Sequence, residues 1–519
     1  MLIKQRPPLA AVLALALALV LLGLGGWWWL QRQTPLALQQ QTLQMPATAR
    51  FLPRTANLSL YLELAPAQLP AYARAVAPNR RRGEAAASLG ELRDGLFASA
   101  GLDYNTELRD WLGKDSGIAL RAGATANQEP AWVLALSSRS AGGGRQFLQR
   151  FWQARSLAGA DLDISSYRGL GLISSRASQV GNQRLQPLAT ALVNDELVLL
   201  ASSRAALEEA LDSSQEDGLN QAGDPQLQQW LAQKRRGVAL IRSDAVGLRE
   251  LLGLPTSLGP GSGIETAFAA LRPQAAGLVL EASLRGTEAA DQQVATAAPG
   301  SEALLKGLKL DPALLLLSRS DQPLPQLFQP QASNAGPLLA AIQKAGTGPQ
   351  LLAELSDGNS WLLGTPLEQP PLSALDAPLA EAGFTGSNLE GLRVWSKLSA
   401  KANREGQLQA NVAGASGVDT RSNTRWWSNS LESLRSQLSE RGGNGQRLRQ
   451  LQAVDPTGEA LAALAMDGSH ARALLSQWPL WRGLQLAAGR PLSPALRGLA
   501  LALQEDQNQS GLTALLTFR

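Results

Sequence analysis

NLSLYLEL, residues 57–64, is the stretch on which the fold turns. Leu58, Leu60, Leu62 and Leu64 alternate with Ser59, Tyr61 and Glu63, the period of a half-buried β-strand. From this strand onward the chain matches itself at a long offset. SYRGLGLISS (166–175) aligns with NLEGLRVWSK (388–397) at 222, and Asp244 aligns with Asp467 at 223. TAFAALRPQAAGLVLEASLR (266–285) aligns with the C-terminal run at 234, so that Gly277 meets Gly511. The middle match reads as a buried strand, an Asp at a helix N-terminus and an apolar helical face. The last reads as a hairpin that closes each copy.

Helical patterning falls between these runs. Phe147, Leu148, Phe151 and Trp152 share one face of a helix over 145–153, and Ser203 is a start signal for a helix carrying Leu207 and Leu211. Stretches 213–225, 255–263 and 402–425 read as loops. Strands and helices mix without regular βαβ spacing, so the fold class is α+β: an N-terminal single transmembrane helix, then two tandem duplicated domains with mainly antiparallel sheets and packed helices. The expected division is 1–33 cytoplasmic tip and anchor, 34–50 spacer, 51–290 first domain, 291–306 linker and 307–519 second domain.

Upstream of the strand, Leu9 to Leu30 form 22 positions without a charge, preceded by Lys4 and Arg6. A helix of that length spans about 33 Å, enough for a hydrocarbon core. Trp27, Trp28 and Trp29 are placed as membrane-interface anchors at its far end. The expected localisation is a single-pass membrane protein, N-terminus cytoplasmic, with the bulk on the periplasmic or thylakoid-lumen side. A cleaved signal peptide ending near Gly23-Leu24-Gly25 is the competing reading.

Charge and composition exclude several functions. Net charge is +4, and Lys4, Arg6 and Arg32 supply three of those charges, so the rest lacks a footprint for nucleic acid. Arg80-Arg81-Arg82 and Lys234-Arg235-Arg236 read as solvated charge, with anionic lipid headgroups as the alternative contact. Cysteine is absent, which removes disulfides, thiolate nucleophiles and Cys-ligated metals. One histidine, His470, serves the whole chain and reads as a surface residue in a helix's first turn. No G-x-S-x-G, P-loop or G-x-G-x-x-G motif follows a strand, so no cofactor is expected. Asp103, Glu107 and Asp357 lack EF-hand spacing, and Asp161-Leu-Asp163 and Glu505-Asp506 read as solvated acids. Trp426, Trp427, Trp478 and Trp481 are candidate partner contacts, with core packing as the plainer reading.

Two stretches carry a resemblance. ARFLPRTANLSLYLELAP (49–66) and GLDYNTELRDWLGKDSGIALRAG (101–123), with Trp111-Leu112-Gly113 and Leu120, resemble a family of uncharacterised bacterial proteins, common in cyanobacteria, known only as a domain of unknown function. The resemblance implies one membrane anchor followed by a long exported region, and carries no catalytic residue. The reading is a membrane-anchored extracytoplasmic binding or scaffold protein that contacts a protein or lipid partner, with binding favoured over catalysis. The alternative is a carboxylate-based hydrolase of envelope polysaccharide, which requires two facing acids, one with a raised pKa.

Overall fold

The strand that opens the pattern lies in the middle of a sheet. In the computed structural model, which describes residues 35–519 apart from 124–127, 177, 181–182, 186, 254–263, 287–300, 320–327, 329–335, 346–347, 403–407, 440–444, 490–491, 493–494, 507–508 and 519, the first half supplies twelve strands. They are β1 (Leu58–Glu63), β2 (Leu112–Arg121), β3 (Ala131–Ser138), β4 (Leu162–Tyr167), β5 (Leu170–Ser175), β6 (Ser178–Val180), β7 (Gln183–Leu185), β8 (Leu188–Val193), β9 (Leu197–Ala201), β10 (Ala239–Asp244), β11 (Ile264–Gln274) and β12 (Gly277–Gly286). The second half supplies β13 (Leu314–Ser318), β14 (Gln350–Glu354), β15 (Trp361–Pro366), β16 (Thr385–Leu389), β17 (Leu392–Ala402), β18 (Leu408–Asp419), β19 (Thr424–Ser428), β20 (Ala462–Asp467), β21 (Gly498–Asp506) and β22 (Gln509–Thr517).

All but β6 and β7, which form their own hairpin, join one 20-stranded antiparallel sheet. Its first half runs β4-β5-β8-β9-β3-β2-β1-β10-β11-β12. The second runs β16-β17-β18-β19-β15-β14-β13-β20-β21-β22. β12 pairs with β22 to join them. Both halves therefore follow one connection order outward from the joint. The rungs Asp244–Thr266–Arg285 and Asp467–Gly498–Thr517 set the hairpin offset at 232, which corrects the sequence alignment of 234 by two residues. At that offset Glu281 and Thr513 are counterparts, and they lie opposite each other across the joint.

Helices cover both faces. On the face carrying Tyr61 lie α4 (Arg204–Ser213) and α5 (Pro225–Ala232) in the first half, and α6 (Ser301–Gly307), α9 (Leu431–Ser439) and α10 (Gln446–Val454) in the second. The face carrying Leu60 meets α3 (Gly143–Leu157) in the first half, which buries Phe147, Leu148, Phe151 and Trp152. In the second half it meets α7 (Pro337–Ala345), α8 (Leu372–Glu381), α11 (Gly468–Ser476) and α12 (Pro479–Ala487). Two further helices, α1 (Gln68–Val76) and α2 (Arg82–Ser99), connect β1 to β2. Ser203 caps α4 by accepting from the Ala206 amide at 3.2 Å, and Asp467 caps α11.

Several expectations are corrected. Among the described residues no helix is long and apolar enough to cross a membrane. The longest, α2, has 18 residues and carries Arg82, Glu84, Glu91, Arg93 and Asp94. The segment expected to span, Leu9 to Leu30 with Trp27, Trp28 and Trp29, lies outside the described residues. The transmembrane fold class, the single-pass signal-anchor topology, the membrane as partner through an N-terminal helix, and the periplasmic or lumenal placement built on it are withdrawn. The tandem domains do not hold separate sheets either, because an edge strand with free N–H and C=O groups finds its partner in the other half. Stretch 402–425 contains β18, paired on both sides. Within 213–225, Asn220, Gln221 and Asp224 are buried and hydrogen-bonded.

Candidate functional site

β1 is central, so its two faces compete for burial; Leu58 and Leu64 at its ends are buried, and the leucine side opens only at its centre. Ser59, Tyr61 and Glu63 are buried, whereas Leu60 is 37% exposed. The Tyr61 hydroxyl donates to Gln221 Oε1 at 2.7 Å, and Gln221 Nε2 donates to Ser59 Oγ and to the Pro53 carbonyl. Burial pushes the Tyr61 phenol far above its ordinary value. Satisfied polar groups permit that side to close.

The leucine side is open around Leu60. Leu60 stands between Ile118 and Ile241 in the ladder, and both are half-buried. The same rung of the second half reads Leu352–Leu316–Leu464, at 1%, 3% and 2% exposure. Leu62, Leu120, Leu271 and Leu280 extend the half-buried apolar floor, and it carries no charged side chain from β1 to β12. Across the joint it continues through Leu512 and Leu516.

The helices on this side leave the floor partly bare. The main neighbours of α2 are α1 and α12 rather than strands. Among the described residues of α2 only Ala86 is buried, and Leu96 is 45% exposed. Its C-terminal turn is fixed by Phe97, stacked on Tyr104 at 5.6 Å, and by Arg93, 3.8 Å above the same ring. Gly95 makes the crossing with α12: a Cβ there would lie 1.5 Å from the Ala487 carbonyl oxygen. At the other end of α12, Trp478 Nε1 donates to the Leu252 carbonyl at 2.6 Å. Thus α2 and α12 form a bridge between the halves.

Two polar clusters lie elsewhere. Glu63 faces Asp115 across the β1–β2 ladder, and burial pushes its carboxyl up to about 7, with Asp115 adding to the rise. This is the pair a carboxylate mechanism requires, but both Glu63 oxygens accept from the Gln44 amide at 3.2 Å, and Gln41 Nε2 also holds the Glu63 carbonyl. The group clamps residues 41–44 to the strand end. His470 sits in the first turn of α11, its Nδ1 2.9 Å from Asp467 Oδ1 and its Nε2 3.8 Å from Glu354. Burial acts to raise the Asp467 carboxyl, but hydrogen bonds from Ser469, the His470 amide and the His470 ring together hold it at about 2. Asp467 is thereby a helix cap with a histidine attached.

The remaining expected site residues are placed as follows. Trp426 and Trp427 are fully buried on opposite faces of β19, and Trp427 stacks on Trp395 at 6.2 Å. Trp481 is buried and Trp478 half-buried at the bridge, so two of the four tryptophans meet at the joint and the other two do not. Asp103 and Asp357 accept local backbone amides as turn caps. Asp163 pairs with Arg204. Among the described residues no three His, Asp or Glu side chains are grouped to hold a metal. The sequence reading missed Leu60, Ile118 and Ile241, because strand alternation marks an apolar side without saying whether anything covers it.

Sequence comparison matches residues 12–345 to the model of one protein family, described as "Protein of unknown function (DUF3352)". The match shows neither membrane anchoring nor a cyanobacterial source. No curated protein matches the chain. Among solved structures, crystal form I of TP0453 is 10% identical with a TM-score of 0.29, covering 48% of this chain and 80% of that one. Crystal form III of TP0453 is 10% identical at 0.27, covering 48% and 82%. Overlaps that weak say nothing of this chain's fold or chemistry.

Proposed function

The chain belongs to the DUF3352 family of proteins of unknown function, and from that premise we propose that it acts by binding, taking an apolar partner on the Leu60 face of its first half. The observation that supports this reading is the contrast between Leu60–Ile118–Ile241 and its covered counterpart Leu316–Leu352–Leu464. Exposed contiguous apolar surface in a folded protein marks an interaction site. A binding or scaffold role needs no catalytic group, and the acid with the raised pKa, Glu63, is committed to Gln44. The division into 51–290 and 307–519 belongs to the same proposal, with the first unit as binder and the second as its support; the last residues of the expected joining segment 291–306 form α6, which packs on the second half.

The test is titration of the native chain with bis-ANS, a dye that brightens in apolar sites. Saturable binding is expected in the wild type and its loss in Leu60→Arg, with unchanged thermal unfolding. Equal dye binding in the two proteins would overturn the assignment of this face.

A further inference from the structure

We infer that the outer edge of β4 pairs with β4 of a second copy of this chain, antiparallel, about a two-fold axis at Ile164. β4 ends the sheet in the first half: it pairs with β5 and with no other described strand. The hairpin turns through two residues, Arg168 and Gly169, both at positive φ (52° and 81°). Tyr167 and Leu170 flank that turn and therefore share both hydrogen bonds of their pair. The alternation that follows spends the backbone of Asp163 and Ser165 on β5, and turns the N–H and C=O groups of Leu162, Ile164 and Ser166 outward. Ile164, at the centre of that row, is 76% exposed. The usual guards of a strand edge are missing. β4 holds no Lys, Pro or bulge, and its one charge, Asp163, lies on the opposite face from Ile164 and pairs with Arg204.

The occupant follows from what such an edge can use. A helix keeps its backbone groups to itself, and laid on Ile164 it would leave the outward row of β4 to water; an extended strand takes both. A second copy brings a strand that is already the complement. About a two-fold at Ile164, Ile164 meets the second copy's Ile164, Leu162 meets Ser166, and Asp163 faces Ser165, so no like charges oppose each other. The molecule joins its own halves in this way: β12 and β22 pair antiparallel, and the counterparts Glu281 and Thr513 lie opposite each other at the joint. The far end of the sheet does not match. At β16 the residue that corresponds to Ile164 at offset 222 is Gly386, and the Arg393 guanidinium covers it, 2.5 Å from where a Cβ would stand. The pairing therefore closes at two copies instead of running on head to tail.

The chain has no cysteine, so one introduced thiol reports the register. Sedimentation velocity of the full chain across about 1–200 μM should show a dimer that grows with concentration. Ile164→Lys sets two ammonium groups against each other on the axis and should weaken the dimer by about tenfold or more, with thermal unfolding unchanged. In Ile164→Cys the two thiols face each other across a hydrogen-bonded pair, with about 5.5 Å between Cα atoms, within disulfide range. Mild oxidation should link that variant into dimers and leave Asn388→Cys, on the outward row of β16, unlinked. A monomer at every concentration would overturn the proposal, as would a dimer indifferent to Ile164→Lys. A dimer sensitive to Ile164→Lys in which Ile164→Cys does not cross-link would overturn the two-fold register. Growth beyond the dimer would overturn closure at two copies. Leu60 lies on a central strand, so dye binding there and dimerisation at β4 stand or fall separately.

Discussion

Rung for rung, β1 and β13 are counterparts. Leu60 lies between Ile118 and Ile241, Leu316 between Leu352 and Leu464, and the Glu63 amide donates to the Val238 carbonyl as the Arg319 amide donates to that of Leu461. What differs is the chain between the strands. In the second half α7 sets Leu338, Leu339 and Ile342 on one face, and α11 and α12 add Ala471, Leu475 and Trp481. In the first half α2 interleaves its leucines with Glu91, Arg93 and Asp94, and Gly247–Leu251 makes a single wide turn where α11 stands in the other half. Similar strands therefore support different surfaces, because a helix with one apolar stripe seals a sheet and a helix without one does not. The ends of the paired strands diverge in the same way. Arg319 is buried against Asp455 at 2.7 Å, whereas Glu63 is buried against a backbone amide.

The largest expected effect breaks the sealed half. Leu316→Arg forces a charge under α7 and α11 and should destabilise by at least about 4 kcal/mol in urea unfolding, while Leu60→Arg should stay within about 0.5 kcal/mol of wild type. Equal losses would mean that the two faces are equally buried. Next, Asp455→Ala leaves Arg319 buried without its counter-ion and should cost about 3 kcal/mol. Its first-half counterpart runs the other way. Because burial raises Glu63 from 4.5 to about 7, folding favours its protonated form. That contribution is complete below pH 4.5 and is lost as pH rises through 7. Glu63→Gln should therefore flatten the pH dependence of stability across that window and stabilise the protein by about 2 kcal/mol at pH 8. A variant less stable than wild type at pH 8 would contradict the burial of this carboxyl. The smallest effect sharpens the comparison at the joint: Trp478→Phe removes the bond to Leu252 and should cost about 1 kcal/mol by the same measurement.

Much of the local structure was readable from residue order. The four apolar residues of α3, the Ser203 cap and the Asp244/Asp467 correspondence follow from spacings of three and four residues and from the short reach of a capping side chain. The hairpin alignment missed by two residues, because in a run of Ala and Leu a two-residue slip keeps every side chain on its own face. The stretch around Asn220 and Gln221 read as a loop, and it is one, but its amides complete the buried side of β1. No local pattern announces that role, since Tyr61 and Gln221 are 160 residues apart.

For NLSLYLEL, alternation by itself determined a strand with leucines on one side and Ser, Tyr and Glu on the other, because successive side chains point to opposite faces of any β-strand. Which side would be dry was decided only by tertiary structure. Gln221, Pro53 and the helices behind Tyr61 closed the polar side, and α2 turned toward α1 and α12 instead of down onto Leu60. Periodicity is a property of the backbone, whereas burial depends on what distant segments bring to that surface.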